Sequence, residues 1–190
     1  MTVYVYENII SPTTQEIIKD EIFSLNFPWV LLDNITYSEK KDDNLYGLNH
    51  TFLAKDKNIL QPIYPYLLPI LVGCVDRMGI EFSHSNVLAG RVFMQLPRGD
   101  SVQNEPHIDS DKPHWVFLYY VNDSDGDTVF FEKQNPWNNT NLIYGEENFI
   151  EIKRVTPKQG TCIVFDGSTY HASGSPTVNK RCVINFNYKQ

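Results

Sequence analysis

The sequence predicts a mainly β domain, with N-terminal helices laid against a jelly-roll-like core of about eight antiparallel strands. Three observations predict it. From residue 91 onward, short apolar, β-branched and aromatic runs recur between turn signals, with no helical pattern between them. Ahead of residue 91, two segments carry apolar residues at helical spacing. With 190 residues, 42% hydrophobic and 21% charged, the chain has the size and composition of one soluble domain with a substantial core.

Taken in order, "MTVYVYENII" alternates and lacks both a basic leader and a small-residue cleavage site, so it does not read as a signal peptide. Ser11 as N-cap, Pro12 at N1, and Ile17, Ile18, Ile22 and Leu25 at helical spacing predict a helix over 12–25. "FPWVLLDNITY" (27–37) predicts a strand, and the polar, charged "SEKKDDNLYGLNH" (38–50) a loop. The most apolar segment (59–80) is broken by Pro62, Pro65 and Pro69 and carries Asp76 and Arg77. That predicts a buried helix over 63–78 rather than a membrane span. The strands then follow as "RVFMQL", "PHIDS", "HWVFLYYVN", "DTVFFE", "FIEIKRV", "GTCIVFD", "TYHAS" and "RCVINFNYK". "KQNPWNNTNLIYGEEN" (133–148) is too polar for a core and predicts a surface loop. There is no internal repeat, so a single domain spans 1–190, with 1–90 as support and 91–190 as β core.

The net charge of −7 argues against nucleic acid as a partner, because such binding rests on Lys and Arg neutralising phosphates. Cys74, Cys162 and Cys182 are odd in number and form no CxxC pair, which predicts buried free thiols in a reducing compartment. With neither leader nor span in the sequence, no membrane partner and a cytoplasmic location are expected.

Within "NEPHIDSD" (104–111), a strand would send His107 and Asp109 to one face and Ile108 to the other. Two ligands at i and i+2 can converge on one ion, and a third must come from a distant strand. His50, His84, His114 and His171 are the remaining histidines. Two His and one carboxylate with open positions form the facial triad that holds Fe(II) in oxygenases, whereas structural zinc fills all its positions with protein. Arg181, ten residues after His171, opens the last strand, where it could clamp a carboxylate through paired hydrogen bonds.

His107-x-Asp109, then "FLYYVNDSDGDTVFFE", then "VTPKQGTCIVFDGSTYHASGSP", then Arg181 resembles the 2-oxoglutarate/Fe(II)-dependent dioxygenases, in their prolyl-4-hydroxylase-like branch. The likeness covers roughly residues 91–189. "YVN" with "DGDT" is similar to the family's Tyr-Leu-Asn and Gly-Gly-x-Thr, and "PKQGTCIVF" to its Pro-x-x-Gly-x-x-x-x-Phe. The resemblance implies a double-stranded β-helix (jelly-roll, cupin-like) fold and a single oxygenase domain. It implies that His107, Asp109 and His171 bind iron and carry catalysis, and that Arg181 and Tyr120 hold the distal carboxylate of 2-oxoglutarate. It implies Fe(II), 2-oxoglutarate and dioxygen as cofactor and co-substrates, with ascorbate as a candidate reductant. The activity implied is C–H hydroxylation of a prolyl or other amino-acid side chain, in a peptide or small-molecule substrate. Asp109 as a ligand leaves no position for halide, which favours hydroxylation over halogenation.

Strand parity supports Tyr120. Val116, Leu118 and Tyr120 share one face, and on the last strand Arg181, Val183, Asn185 and Asn187 share another. Tyr119 competes for the role if the parity shifts by one. The family's tyrosine position holds Leu96 here, its double glycine is Asp125-Gly126-Asp127, and Val183 replaces the serine of an Arg-x-Ser seen in other branches. Loops 38–50 and 133–148 are expected to flank the site as lids. Two further readings stand beside this one. Cys162 or Cys182 could act as a nucleophile with His171 and Asp166, although both sit mid-strand in apolar runs where thiols are inert. The chain could also be a catalytically inactive jelly-roll metal- or ligand-binding protein.

Overall fold

The computed structural model describes residues 2–35, 46–100, 103–134 and 149–190. In chain order it forms β1 (Val3–Tyr6), α1 (Pro12–Ile22), β2 (Val30–Leu32), β3 (Gly47–Ala54), β4 (Ile59–Leu60), α2 (Tyr64–Arg77) and β5 (Val87–Gln95). There follow β6 (His114–Tyr120), β7 (Thr128–Gln134), β8 (Glu151–Val155), β9 (Cys162–Asp166), β10 (Thr169–Ser173) and β11 (Arg181–Lys189). The major sheet has eight strands in the order β1-β9-β6-β11-β5-β3-β2, with β4 paired to β3. A minor sheet has the order β10-β7-β8. Both are antiparallel throughout.

Side-chain alternation sorts the molecule into layers. Trp115, Phe117 and Tyr119 of β6, with Cys182, Ile184, Phe186 and Tyr188 of β11, pack towards α1 and α2. Val116, Leu118, Tyr120 and Val183 face the other way and meet Phe130 and Phe165 between the sheets. Val129, Phe131, Tyr170 and Ala172 cover the far side of the minor sheet, and Ile108 joins them. The interior is therefore split, with an apolar layer under the helices and an inner face that also carries polar groups.

Ser11 caps α1 by accepting from the Thr14 N–H at 3.2 Å, with Pro12 at the helix start. The helix stops at Ile22 instead of 25, because the chain turns there to bury Phe27 while Leu25 lies fully in solvent. In α2 Pro65 sits at the start, and Pro69, inside the helix, lies on an exposed face.

Several sequence expectations change. The strand expected over 27–37 is only Val30–Leu32 among its described residues, and residues 36–45 lie outside them. Residues 47–50 of the expected loop are strand, the start of β3. His50 hid it: the side chain reads as polar, yet it is buried edge-on against Phe27 at 4.9 Å, with Nδ1 bonded to the Pro28 carbonyl at 3.1 Å. "PHIDS" makes no regular strand; His107 forms an isolated bridge to His171. Of the loop expected over 133–148, residues 133 and 134 end β7, and 135–148 lie outside the described residues. The division at 90/91 falls inside β5, and β1, β2, β3 and β4 belong to the same major sheet as the core.

Candidate functional site

His107 and His171 are directly opposed across a hydrogen-bonded antiparallel bridge. The His107 N–H donates to the His171 carbonyl at 2.9 Å and the His171 N–H returns the bond at 3.0 Å. Opposed residues share a face, and their imidazole centroids are 4.7 Å apart. Ile108 points away into the outer apolar layer, so Asp109 returns to the face of His107. The His107 Nε2 is 3.9 Å from Asp109 Oδ1. Ligand atoms of His107, Asp109 and His171 all lie within 4.8 Å of one another. Among the described residues no other group of three or more His, Cys, Asp or Glu side chains converges in this way.

The donor set fits a divalent transition ion. Nδ1 of His107 lies 3.1 Å from the Glu105 carbonyl, and Nδ1 of His171 lies 3.1 Å from the Thr169 carbonyl. A carbonyl only accepts, so each Nδ1 carries the proton and each Nε2 presents its lone pair. Phe165 packs edge-on to the His171 ring at 4.8 Å and fixes its plane. Burial, with His107 as a like charge beside it, pushes the His171 pKa down to about 4, leaving it neutral and ready to ligate. Burial alone would raise the Asp109 carboxyl. His171 when protonated, the Arg91 guanidinium, His107 when protonated and a hydrogen bond from Asn185 outweigh it and hold the carboxyl well below the usual range.

Arg181 opens β11 on the inner face and is 3% exposed. Its Nε donates to the Gly126 carbonyl at 2.8 Å, one terminal nitrogen to Gln95 Oε1 at 3.2 Å, and the other to Thr128 Oγ1 at 2.8 Å. All three acceptors are neutral, and no carboxylate of the described residues pairs with it. The Tyr120 hydroxyl also donates to Thr128 Oγ1, at 2.8 Å, and burial pushes its pKa up to about 12. Thr128 Oγ1 thus accepts twice, and its own O–H remains to donate. Tyr119 lies on the helix side of the sheet.

Sequence reasoning missed four side chains at this site. Asn185 of β11 donates to Asp109 Oδ2 at 2.9 Å. Arg91 of β5 lies 3.5 Å from Asp109 Oδ1. Gln95 bonds both Arg181 and Ser173, and Thr128 is described above. Inward parity on β11 pointed to Asn185, and "DGDT" contained Thr128. Gln95 was missed by one position, since Leu96, the residue at the family's tyrosine position, is exposed and Gln95 is the inward one. His114 and His84 stand apart from the cluster: Nδ1 of His114 bonds the Lys112 carbonyl and Nδ1 of His84 bonds the Tyr64 hydroxyl. Cys162 and Cys182 are fully buried on the helix side, and burial raises both thiols well above their ordinary pKa. A nucleophilic thiol does not fit that setting.

Comparison of the sequence with protein-family models and with curated proteins finds no match. Among solved structures, the chain is similar to the epimerase SnoN in complex with Fe3+, alpha ketoglutarate and nogalamycin RO. That match has 12% identity, covers 99% of this chain and 78% of that one, and has a TM-score of 0.63. It is also similar to a Trichoplax adhaerens prolyl hydroxylase solved with a hypoxia inducible factor peptide fragment (13% identity, 98% and 83% covered, TM-score 0.58). A third is the collagen prolyl hydroxylase of Paramecium Bursaria Chlorella virus-1 in its 2OG complex (13% identity, 100% and 97% covered, TM-score 0.57). The fold is that of the 2-oxoglutarate/Fe(II) oxygenases. These oxygenase neighbours cover nearly the whole chain, including the N-terminal helices and strands outside the motif-bearing half. No helix of the described residues is long and apolar enough to cross a membrane.

Proposed function

We propose that this chain is a 2-oxoglutarate/Fe(II)-dependent dioxygenase that hydroxylates a C–H bond of a prolyl or other amino-acid side chain, in a peptide or a free amino acid. The observation that carries it is the buried Arg181, a cation whose three hydrogen-bond acceptors are all neutral, on the inner face that also bears the His107–Asp109–His171 cluster. A guanidinium held only by neutral acceptors is costly unless an anion completes it. The distal carboxylate of 2-oxoglutarate is such an anion. The solved neighbours that bind this co-substrate support the reading, as does the family pattern of the sequence.

In this proposal His107, Asp109 and His171 would hold the iron, the two histidines offering Nε2 and Asp109 a carboxylate oxygen. Fe(II) with 2-oxoglutarate and dioxygen supplies the oxidation, so that one substrate C–H becomes C–OH while succinate and carbon dioxide form. The chain's own part is positional. Arg181 and the Thr128 O–H hold the distal carboxylate, and Tyr120 backs Thr128. The inner aromatic layer of Phe130 and Phe165 excludes water around His171. Asn185 keeps Asp109 Oδ2 engaged, which leaves Oδ1 on the His107 side for the metal.

The test is succinate release from 2-oxoglutarate by the Fe(II)-loaded protein, with and without chelator, in the wild type and His171→Ala. Slow, chelator-sensitive succinate formation that His171→Ala abolishes is expected even without a prime substrate. Absence of metal-dependent succinate would favour an inactive jelly-roll binding protein.

A further inference from the structure

Arg91 is a second cation on the inner face, and the co-substrate does not account for it. It lies across from Asn185 of β11 and Thr51 of β3. On β11, Asn185 lies four positions beyond Arg181, about 13 Å of strand. One five-carbon dicarboxylate does not reach both cations while its keto-acid end chelates a metal.

The Arg91 side chain is 46% exposed, whereas the Asp109 carboxylate it approaches is 6% exposed. Its guanidinium lies 5.7 Å from the centroid of the Phe93 ring. Of its five N–H donors, one meets a described partner, and that contact with Asp109 Oδ1 is 3.5 Å long. Its in-register neighbours Thr51 and Asn185 are neutral. The position is also unfavourable for a metal site, since a cation beside the carboxylate that must hold a dication repels it. An anion seated against Arg91 offsets that repulsion. Asn185 adds a second unmet group. Its Nδ2 is committed to Asp109, which fixes the amide orientation, and its buried Oδ1 has no partner among the described residues.

Resting on the oxygenase reading, we infer that Arg91 is the substrate-recognition residue of this site. The substrate presents a carboxylate to Arg91, close to the carbon that reacts, and a donor group to Asn185 Oδ1. An amino acid meets both requirements through its α-carboxylate and ammonium. An acidic side chain within a peptide meets them through its carboxylate and a neighbouring backbone N–H.

The experiment reads binding without turnover. Anaerobic protein loaded with Mn(II) and saturating 2-oxoglutarate is mixed with probes, and paramagnetic broadening of probe protons is followed by NMR. The probes are free L-proline and L-leucine, their N-acetyl methylamides, and the N-acetyl methylamides of aspartate and glutamate. Broadening confined to probes with a carboxylate is expected, and the two carboxylate arms tell free amino acids from acidic side chains. Arg91→Ala should weaken that binding roughly tenfold, the equivalent of about 1.4 kcal/mol. Arg91→Lys should recover part of it, and Arg91→Glu should abolish it. Mn(II) affinity of each variant, measured in parallel by EPR, separates loss of the probe from loss of the metal. Equal broadening by carboxylates and methylamides overturns the inference. So does an Arg91→Ala protein that keeps its Mn(II) and broadens the carboxylate probes as the wild type does. Failure of metal-dependent succinate release in the wild type would instead defeat the oxygenase reading, and the binding result would stand apart from it.

Discussion

His171 is the residue at which packing and chemistry are hardest to separate. Its ring lies against Phe165 and Phe130, its Nδ1 is tied to its own strand, and its backbone pairs with His107. Burial holds its pKa down at about 4, while in an unfolded chain it is about 6.5. Between those values the unfolded chain takes up a proton that the folded one refuses, so stability rises with pH across the window. The His171 contribution is present above about pH 6.5 and is lost as pH falls towards 4. At about 1.4 kcal/mol per pKa unit its full size is on the order of 3 kcal/mol. Asp109, shifted down, gives up its contribution as pH falls through the ordinary carboxylate range and below it. Urea unfolding of metal-free protein at pH 7 and pH 5 should show the loss, and His171→Asn should reduce it. Identical pH dependence in the two proteins would mean that the imidazole is not buried neutral. Such environments are invisible in a sequence. "TYHAS" identifies a histidine on a strand, and only the sheet opposite supplies the burial.

At the level of elements, the site depends on the turn between β6 and β7. A Cβ on Gly126 would lie 2.7 Å from the Gly174 carbonyl and 3.0 Å from Arg181 Cδ. The same residue's carbonyl accepts from Arg181 Nε. Asp125 ties this turn to the one between β10 and β11 by accepting the Thr177 N–H at 2.9 Å. Gly126→Ala should therefore push the guanidinium out of place. The expected outcome is weaker 2-oxoglutarate binding, by roughly tenfold, with Mn(II) affinity little changed. Calorimetric titration of each ligand in turn checks it, and loss of metal binding alone would refute it. The "DGDT" likeness marked this turn as important without giving the reason, which is close backbone approach. Element identity was legible wherever period and length agreed, as in α1, α2, β6 and β11. It failed at β3, where Asn49 and His50 break the apolar pattern, and at "PHIDS", where two bridge bonds replace a ladder.

In the whole molecule, two sheets divide the work. His171 belongs to the minor sheet, His107 and Asp109 to the segment bridged to its edge, and Arg181, Arg91 and Asn185 to the major sheet. The site exists only when both sheets close on each other. The inward set of β11 was readable by parity as Arg181, Val183, Asn185 and Asn187. Which of its members meets which partner was not, because register between strands distant in sequence is decided by packing. Gln95 beside Arg181, and Asn185 beside Asp109, are facts of register. The central claim is that this closure places one buried arginine to receive the far carboxylate of 2-oxoglutarate. Titrating 2-oxoglutarate into anaerobic Mn(II)-loaded wild type, Arg181→Ala and Arg181→Lys tests it directly. Removing one partner of a buried charge-assisted pair costs about 2–5 kcal/mol, so Arg181→Ala should bind roughly 30-fold or more weakly. Arg181→Lys should recover part, keeping the charge without the planar fork, and Mn(II) affinity should hold in both. Equal 2-oxoglutarate affinity in all three proteins would contradict the claim.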